Sequence, residues 1–521
     1  MAEAPPARRL RLAELAGALS LATDLGLGHP LEQALRSSLL ATSLGGLAGL
    51  GPADLQVTYY LSLLRLIGCT STASDVAAML GDDRALGAWF ETVDPASNRE
   101  AMAAMLRNVG KGQAPLRRLR MIARLLASGS SMREGSRIHC EVGRLLCDEL
   151  SLPDDVRDAF GQMFERWDGH HAWPGERRGE EIHVGVRLVH LASDVVTFDR
   201  LQGRDGAIAV ARRRSGTAYD PALVDLFCDH ADELLDGVHD PAVWAAAMAA
   251  EPEPLLWLEG DDAIDAAARA VGDFADLKSP FFVGHSRGVA DLAGDAAAGG
   301  GLTGPDVLLA RRAGWLHDVG RTGVSNAVWD KAGPLSDGEW EQVRLHPYYT
   351  ERVLVRAGGL SRVARVAGAH HERADGSGYP KGLSSGGLQP VAAILAAADT
   401  YRGLTEDRPH RPGAEAGVAA AALRDDVVGG RLDGDAVDAV LRAAGHRTPR
   451  SRPSWPAGLT DREVEVLAAL AKGLTNRQVA AGLGIADKTV GNHVEHVYQK
   501  IGVSTRAAAT LFALQHELLE R

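Results

Sequence analysis

GWLHDVGRTG, residues 314–323, and HHERADGSGYP, residues 370–380, decide how this chain is read. Val307, Leu308, Ala313, Trp315 and Leu316 form an apolar run that predicts a buried helix stopping at Gly320, with His317 and Asp318 near its end. A His-Asp pair so placed can set an imidazole on one metal ion while the carboxylate bridges to a second. The further ligands such a site needs are His285, His346, His370, His371 and Asp399, with helix-like sequence around most of them. Mixed imidazole and carboxylate donors suit iron, manganese or zinc. Two divalent ions about 3.5–4 Å apart fit phosphoester cleavage.

These motifs are GHSRG (284–288), HDVGRTG, KAGPLSDGEW (331–340) followed by LHP at His346, HHERADGSGYP, and AAADTYRGLTEDRPHR (396–411). Together they closely resemble the HD-GYP subgroup of HD-superfamily phosphohydrolases over roughly residues 280–440. The resemblance implies that His285, His317, Asp318, His346, His370, His371 and Asp399 are metal ligands, with Asp318, Arg321 and Tyr379 at the reaction centre. It implies that Asp375, Gly378, Tyr379 and Pro380 form a loop beside the substrate. Arg402, Arg408 and Arg411 are candidates to meet its phosphates or bases. The implied substrate is cyclic di-GMP or a related cyclic dinucleotide, and the implied cofactors are two metal ions, iron or manganese. Two positions depart from the family pattern. Arg321 stands where a Lys is usual, exchanging a point charge for a planar fork. Phe281 stands where members with three metals carry Glu, so two ions are expected.

Composition sets the frame around this site. At 521 residues the chain has room for three or four domains. Its net charge of −12 argues against a protein that coats nucleic acid or anionic membrane non-specifically. No window approaches the roughly 18–20 apolar residues of a membrane span, and Glu14 interrupts the apolar start, so a cytoplasmic location is expected. Cys69, Cys140, Cys147 and Cys228 have no CxxC spacing and read as reduced, buried thiols.

The first half repeats the second in outline. His139 in SRIHCEVGRLL matches His346 at an offset of 207, and Asp168 in FERWDGHHAWPG matches Asp375 at the same offset. Asp194 matches Asp399 at 205, His29 faces His285, and Arg65-Leu66 faces His317-Asp318. The His-His pair has become Met163-Phe164. His170 and His171 follow Asp168 in a loop, where they cannot replace helix-borne ligands without moving the metal. The first copy therefore reads as degenerate, kept as a scaffold, a dimerisation surface or a sensor. Residues from about 70 to 130 read as an insertion of further helices.

A basic, Pro-rich stretch at 446–457 is a linker. Beyond it, Thr460 and Glu463 form a capping box, LTNRQVAAGLG (474–484) starts at Thr475 and turns at Gly482–Gly484, and IADKTVGNHVEHVYQKIGV (485–503) is a third helix. Two helices around a Gly-containing turn make a helix-turn-helix, and the whole closely resembles the LuxR-type DNA-binding domain. That resemblance places Lys488, Thr489, Asn492, His493 and Lys500 at or near double-stranded DNA, with Gly491, Asn492 and Glu495 toward base edges. Thr475, Arg477 and Arg506 are candidates for phosphate contacts.

The expected fold is all-α: a degenerate HD-GYP-like copy (10–245), an intact one (255–445), the linker, and a four-helix LuxR-type domain (458–521). The expected function is that of a homodimeric transcriptional regulator carrying a metal-dependent phosphodiesterase. A regulator that senses a nucleotide or metabolite without turnover, or a phosphohydrolase of another substrate, stands as the alternative.

Overall fold

The computed structural model describes residues 9–445 and 455–519, apart from 85–86, 88–90, 95, 111–113, 128–130, 171–173 and 517. His171 and linker residues 446–454 lie outside the described residues. The named elements are helices, with one two-stranded sheet of Arg9–Arg11 and Trp257–Glu259. The chain divides into two compact units, Arg11–Trp257 and the part from Leu258 onward. The boundary falls just past the break expected at Pro252 and Pro254.

In the second unit, helices Gly260–Asp276, His285–Gly299, Gly304–Leu316, His346–Leu354, Ser361–Ala367 and Pro390–Thr405 surround a core of small apolar side chains. Alanine and glycine let backbones meet where larger residues hold them apart. A Cβ on Gly314 would stand 2.4 Å from the Ala290 Cα, so helices His285–Gly299 and Gly304–Leu316 cross at backbone contact. The helix that was expected to stop at Gly320 ends at Leu316. Asp318 leaves helical geometry, and a 3-10 turn, Val319–Gly323, follows. Thr350 stabilises this early exit, because its hydroxyl donates to the His317 carbonyl (2.7 Å) and accepts from Gly320 N–H (2.9 Å).

The first unit has the same local plan. Arg65 and Leu66 join helix Pro52–Leu64 to a 3-10 turn, Ile67–Thr72, as His317 and Asp318 join theirs. Helices Ala73–Leu80, Asn98–Asn108 and Pro115–Ala127 occupy the region read as an insertion.

The C-terminal helices are Asp461–Ala471, Asn476–Leu483, Asp487–Ile501 and Arg506–Gln515. Thr460 with Glu463 and Thr475 with Gln478 both form full capping boxes, and Gly484 and Gly502 close their helices at φ 65° and 70°. These helices do not form a third compact unit; they share that of the second copy. The reason is apolar contact: Val283 packs into the C-terminal core with Leu459, Leu467 and Leu518. A Cβ on Gly473 would stand 2.5 Å from that of Pro280.

Replacing Gly314 by Ala should separate the two crossing helices. Overpacking of this kind costs about 1–3 kcal/mol, and thermal unfolding should show a lower Tm for the second copy; an unchanged Tm would mean the crossing is looser than the structure indicates.

Candidate metal centre

The chain's helix ends, more than its helix interiors, deliver the site. His285 and His346 are the first residues of their helices, and His317-Asp318 follow the end of Gly304–Leu316. His370 and His371 stand in the turn beyond Ser361–Ala367, while Asp399 lies within Pro390–Thr405. All are buried except His371, which is partly exposed.

Among the described residues two metal-capable clusters occur: His346, His370 and His371, and His285, His317, Asp318 and Asp399. Within each, the donor atoms lie within 4.8 Å of one another. Asp318 joins them. Its Oδ2 lies 2.7 Å from His317 Nε2 and 3.4 Å from His285 Nε2, while its Oδ1 lies 3.3 Å from His346 Nε2 and 3.5 Å from His370 Nε2. Asp399 also straddles, with Oδ1 3.2 Å from His285 and Oδ2 3.7 Å from His371.

The ring orientations fit cation binding. His317, His346 and His370 each donate Nδ1–H to the carbonyl three residues earlier, those of Gly314, Val343 and Ala367, at 2.6–2.7 Å. That fixes the tautomer and turns a bare Nε2 lone pair inward. The Nε2 atoms of His346 and His370 face each other at 3.0 Å, an arrangement that a cation between them relieves. His317 Nε2 and both Asp318 oxygens are buried and have charged neighbours at ion-pair distance but no contact of hydrogen-bond geometry. Burial opposes charge on His285, yet Glu406, Asp318 and Asp399 outweigh it and raise that imidazole to about 10. Burial also opposes charge on Asp318, and Arg321 and His317 reverse it, holding the carboxyl well below its usual range. So dense a set of carboxylates, shielded from water, calls for compensating positive charge.

Glu406 was not legible as a partner. Its Oε2 accepts from His285 Nδ1 at 2.7 Å, and Arg402 and Arg408 each reach it at 3.0 Å. A signal existed: an acid seven residues after Asp399 at the end of the same helix. Two of the three expected phosphate arginines thus converge on Glu406. Arg411 is turned to its own loop, donating to the carbonyls of Leu404 and Gly403. Arg321 pairs with Asp318 Oδ2 at 2.8 Å and lies 4.2 Å over the Phe282 ring; its Nε and Nη1 are buried with no hydrogen-bond partner.

The Tyr379 ring lies 4.8 Å from that of His371, with Pro380 next to it. Gly378 is required where it stands, since a Cβ there would come 2.4 Å from Arg373 N. Buried Glu372, also unforeseen, holds the loop by accepting from Lys381 and Leu383 N–H at 2.7 Å. Asp375 is exposed and caps its own turn through Ser377 N–H (2.9 Å), and it belongs to neither cluster.

In the first copy the residual ligands have protein partners. His29 pairs with Glu91 at 3.0 Å, His139 contacts Cys69 Sγ at 3.4 Å, and Asp194 is held by Arg214 and Tyr219. His170 is exposed. In the C-terminal domain Lys488, Thr489, Asn492 and Glu495 are exposed on Asp487–Ile501, with Gly491 and His493 half-buried. Arg477 is exposed, and exposed Thr475 is engaged in its capping box. Two residues expected at DNA are placed in intradomain contacts. Lys500 donates to Glu463 (2.7 Å) and the Gly458 carbonyl (3.1 Å), and Arg506 donates to the carbonyls of Leu470 and Leu474.

A helical domain that gathers imidazoles and carboxylates around one shared aspartate has the form of a metal-dependent HD-type phosphohydrolase. The chain carries that domain and a second one: residues 269–435 match the family described as HD domain, and 457–513 match bacterial regulatory proteins, luxR family. The 3′3′-cGAMP-specific phosphodiesterase 3 of Vibrio cholerae is 29% identical over 420 residues, covering 80% of this chain and 91% of the relative. A cyclic di-GMP phosphodiesterase response regulator of Xanthomonas campestris is 33% identical over 180 residues, 34% of this chain and 46% of its own. The crystal structure of a cyclic GMP-AMP-specific phosphodiesterase of V. cholerae superposes with a TM-score of 0.59 and 25% identity, over 84% of this chain and 99% of that one. Its coverage extends past the HD domain into the first copy.

Asp318→Ala should strip bound metal, whereas Asp194→Ala should leave it unchanged by elemental analysis. Glu406→Gln, which weakens the orientation of His285, should lower metal affinity about 10–100-fold. Metal on isolated residues 1–245, or full retention in Asp318→Ala, would overturn this assignment.

Proposed function

We propose that this protein is a cytoplasmic, dimeric, DNA-binding transcriptional regulator whose second helical copy is a two-metal phosphodiesterase for a cyclic dinucleotide. The observation that carries the reading is the division of Asp318 between two donor clusters. Two ions, iron or manganese, suit these donors: His346, His370 and His371 for one, His285, His317 and Asp399 for the other, with Asp318 shared. Such ions supply Lewis-acid activation of water and neutralisation of charge at phosphorus.

The chain's own groups do the positioning. Arg321, stacked on Phe282 and anchored to Asp318, has Nε–H and Nη1–H free of protein partners to meet a non-bridging phosphate oxygen. A rigid fork suits that contact. Glu406 fixes His285, and Tyr379 covers His371. Related proteins act on 3′3′-cGAMP or cyclic di-GMP by name, which supports a cyclic dinucleotide as the substrate class.

One loop links the metal centre to the DNA-binding domain. Pro280, Val283 and Gly284 face the C-terminal helices, and Leu519 Cδ1 lies 3.3 Å from where a Gly284 Cβ would be. From the same loop the Phe281 carbonyl accepts from Arg408 (2.6 Å), Phe282 supports Arg321, and His285 follows. Occupancy of the centre that shifts this loop must alter the seat of the DNA-binding domain, and linkage makes the effect mutual.

Operator affinity should therefore change about 5–150-fold when a non-hydrolysable cyclic dinucleotide binds, the usual range of such coupling. The operator should contain two half-sites about 10 base pairs apart. Turnover with no affinity change would leave an enzyme merely tethered to DNA. An affinity change with no turnover in iron or manganese would leave a sensor and remove the enzymatic claim.

A further inference from the structure

Helix Asp337–Arg344 carries Asp337, Trp340, Glu341 and Arg344 at i, i+3, i+4 and i+7, the spacing of a single helical face. That face is not its core stripe: Val343 is the helix's buried residue, while Trp340 is 46% exposed. The same four side chains line one open groove together with Tyr379. The Tyr379 ring lies 4.8 Å from that of His371, tilted by 33°, and the helix runs through Leu345 into His346, so the groove opens beside the metal centre. Glu341 is paired with Arg344 at 2.9 Å in an exposed bridge, which orients the carboxylate but contributes little to stability.

An indole left half in water gains little for folding. Beside a phosphodiester-cleaving centre it offers what a nucleobase needs, an apolar plane for stacking with polar readers at its rim. We propose that this groove is the base subsite of the second copy and that it selects guanine. Trp340 stacks on the base face, and Glu341, held by Arg344, accepts from guanine N1–H and N2–H. Adenine presents a lone pair at N1 and is repelled by the same carboxylate. The acidic groups meet the base edge, while the phosphates go to Arg321 and the metal ligands. This inference rests on the cyclic-dinucleotide reading of the adjoining centre.

The test uses metal-loaded full-length protein and phosphorothioate cyclic dinucleotides carrying two guanines, one guanine and one adenine, or two adenines. Binding is followed by calorimetry, with metal content measured on each sample. Wild type should prefer the guanine-containing ligands. Trp340→Ala should weaken binding roughly 5–100-fold, the range of one base–aromatic stack, and Trp340→Phe should recover most of it. Glu341→Gln should narrow the preference for guanine, with metal retained in every variant. Unchanged affinity in Trp340→Ala, an unchanged preference in Glu341→Gln, or metal lost from either variant would overturn the subsite. If wild type neither binds nor cleaves any of the three natural dinucleotides, the phosphodiesterase reading fails and takes the subsite with it.

Discussion

Everything in the second copy depends on a buried aspartate whose two oxygens face different sets of imidazoles. Asp318 sits fully enclosed, with His317 and His285 on one side and His346 and His370 on the other. A carboxylate in such surroundings is costly unless positive charge and fixed donors meet it. The helices are arranged to satisfy that demand. Three imidazoles are clamped by carbonyls one turn back, a fourth by Glu406, and the Asp318 backbone is held in place by the Thr350 hydroxyl at neighbouring His317 and Gly320. Replacing the pair by Arg65 and Leu66 in the first copy removes the demand, and each remaining group there has its own partner, Glu91 for His29, Cys69 for His139 and Arg214 for Asp194.

Both the all-helical architecture and the seven convergent residues were legible, because the motifs from GHSRG to AAADTYRGLTEDRPHR resemble the HD-GYP pattern and mark each residue by position. The loss of the pair from the first copy was legible for the same reason. What the sequence hid were partners set by tertiary approach. Glu406 caps the end of the Asp399 helix in a charged stretch that looks solvated, Glu372 reads as one more charge in a polar loop, and Thr350 as a neutral helix residue. The contacts of the arginines were hidden in the same way: periodicity says nothing of where a long flexible side chain ends. Arg411 and Arg506 bind carbonyls, and Lys500 completes a cap, where a resemblance alone set them against a ligand.

The loop Pro280–Gly284 gives the fusion of the two activities a physical form. Pro280, Val283 and Gly284 face the C-terminal core while Phe281 and Phe282 meet Arg408 and Arg321, and the first histidine ligand follows directly. Glycine at 284 has φ 84°, a conformation that lets the chain turn sharply from the docked loop into the ligand helix. The coupling proposed above therefore needs no long relay, because the loop that supports Arg321 also packs on the C-terminal core.

The most direct measurement of the central claim is anomalous diffraction from crystals grown with manganese. The account predicts two peaks in the second copy, about 3.5–4 Å apart as in other two-metal sites, with Asp318 between them and none in the first copy. A single peak, or a peak beside Asp194 and His139, would contradict it.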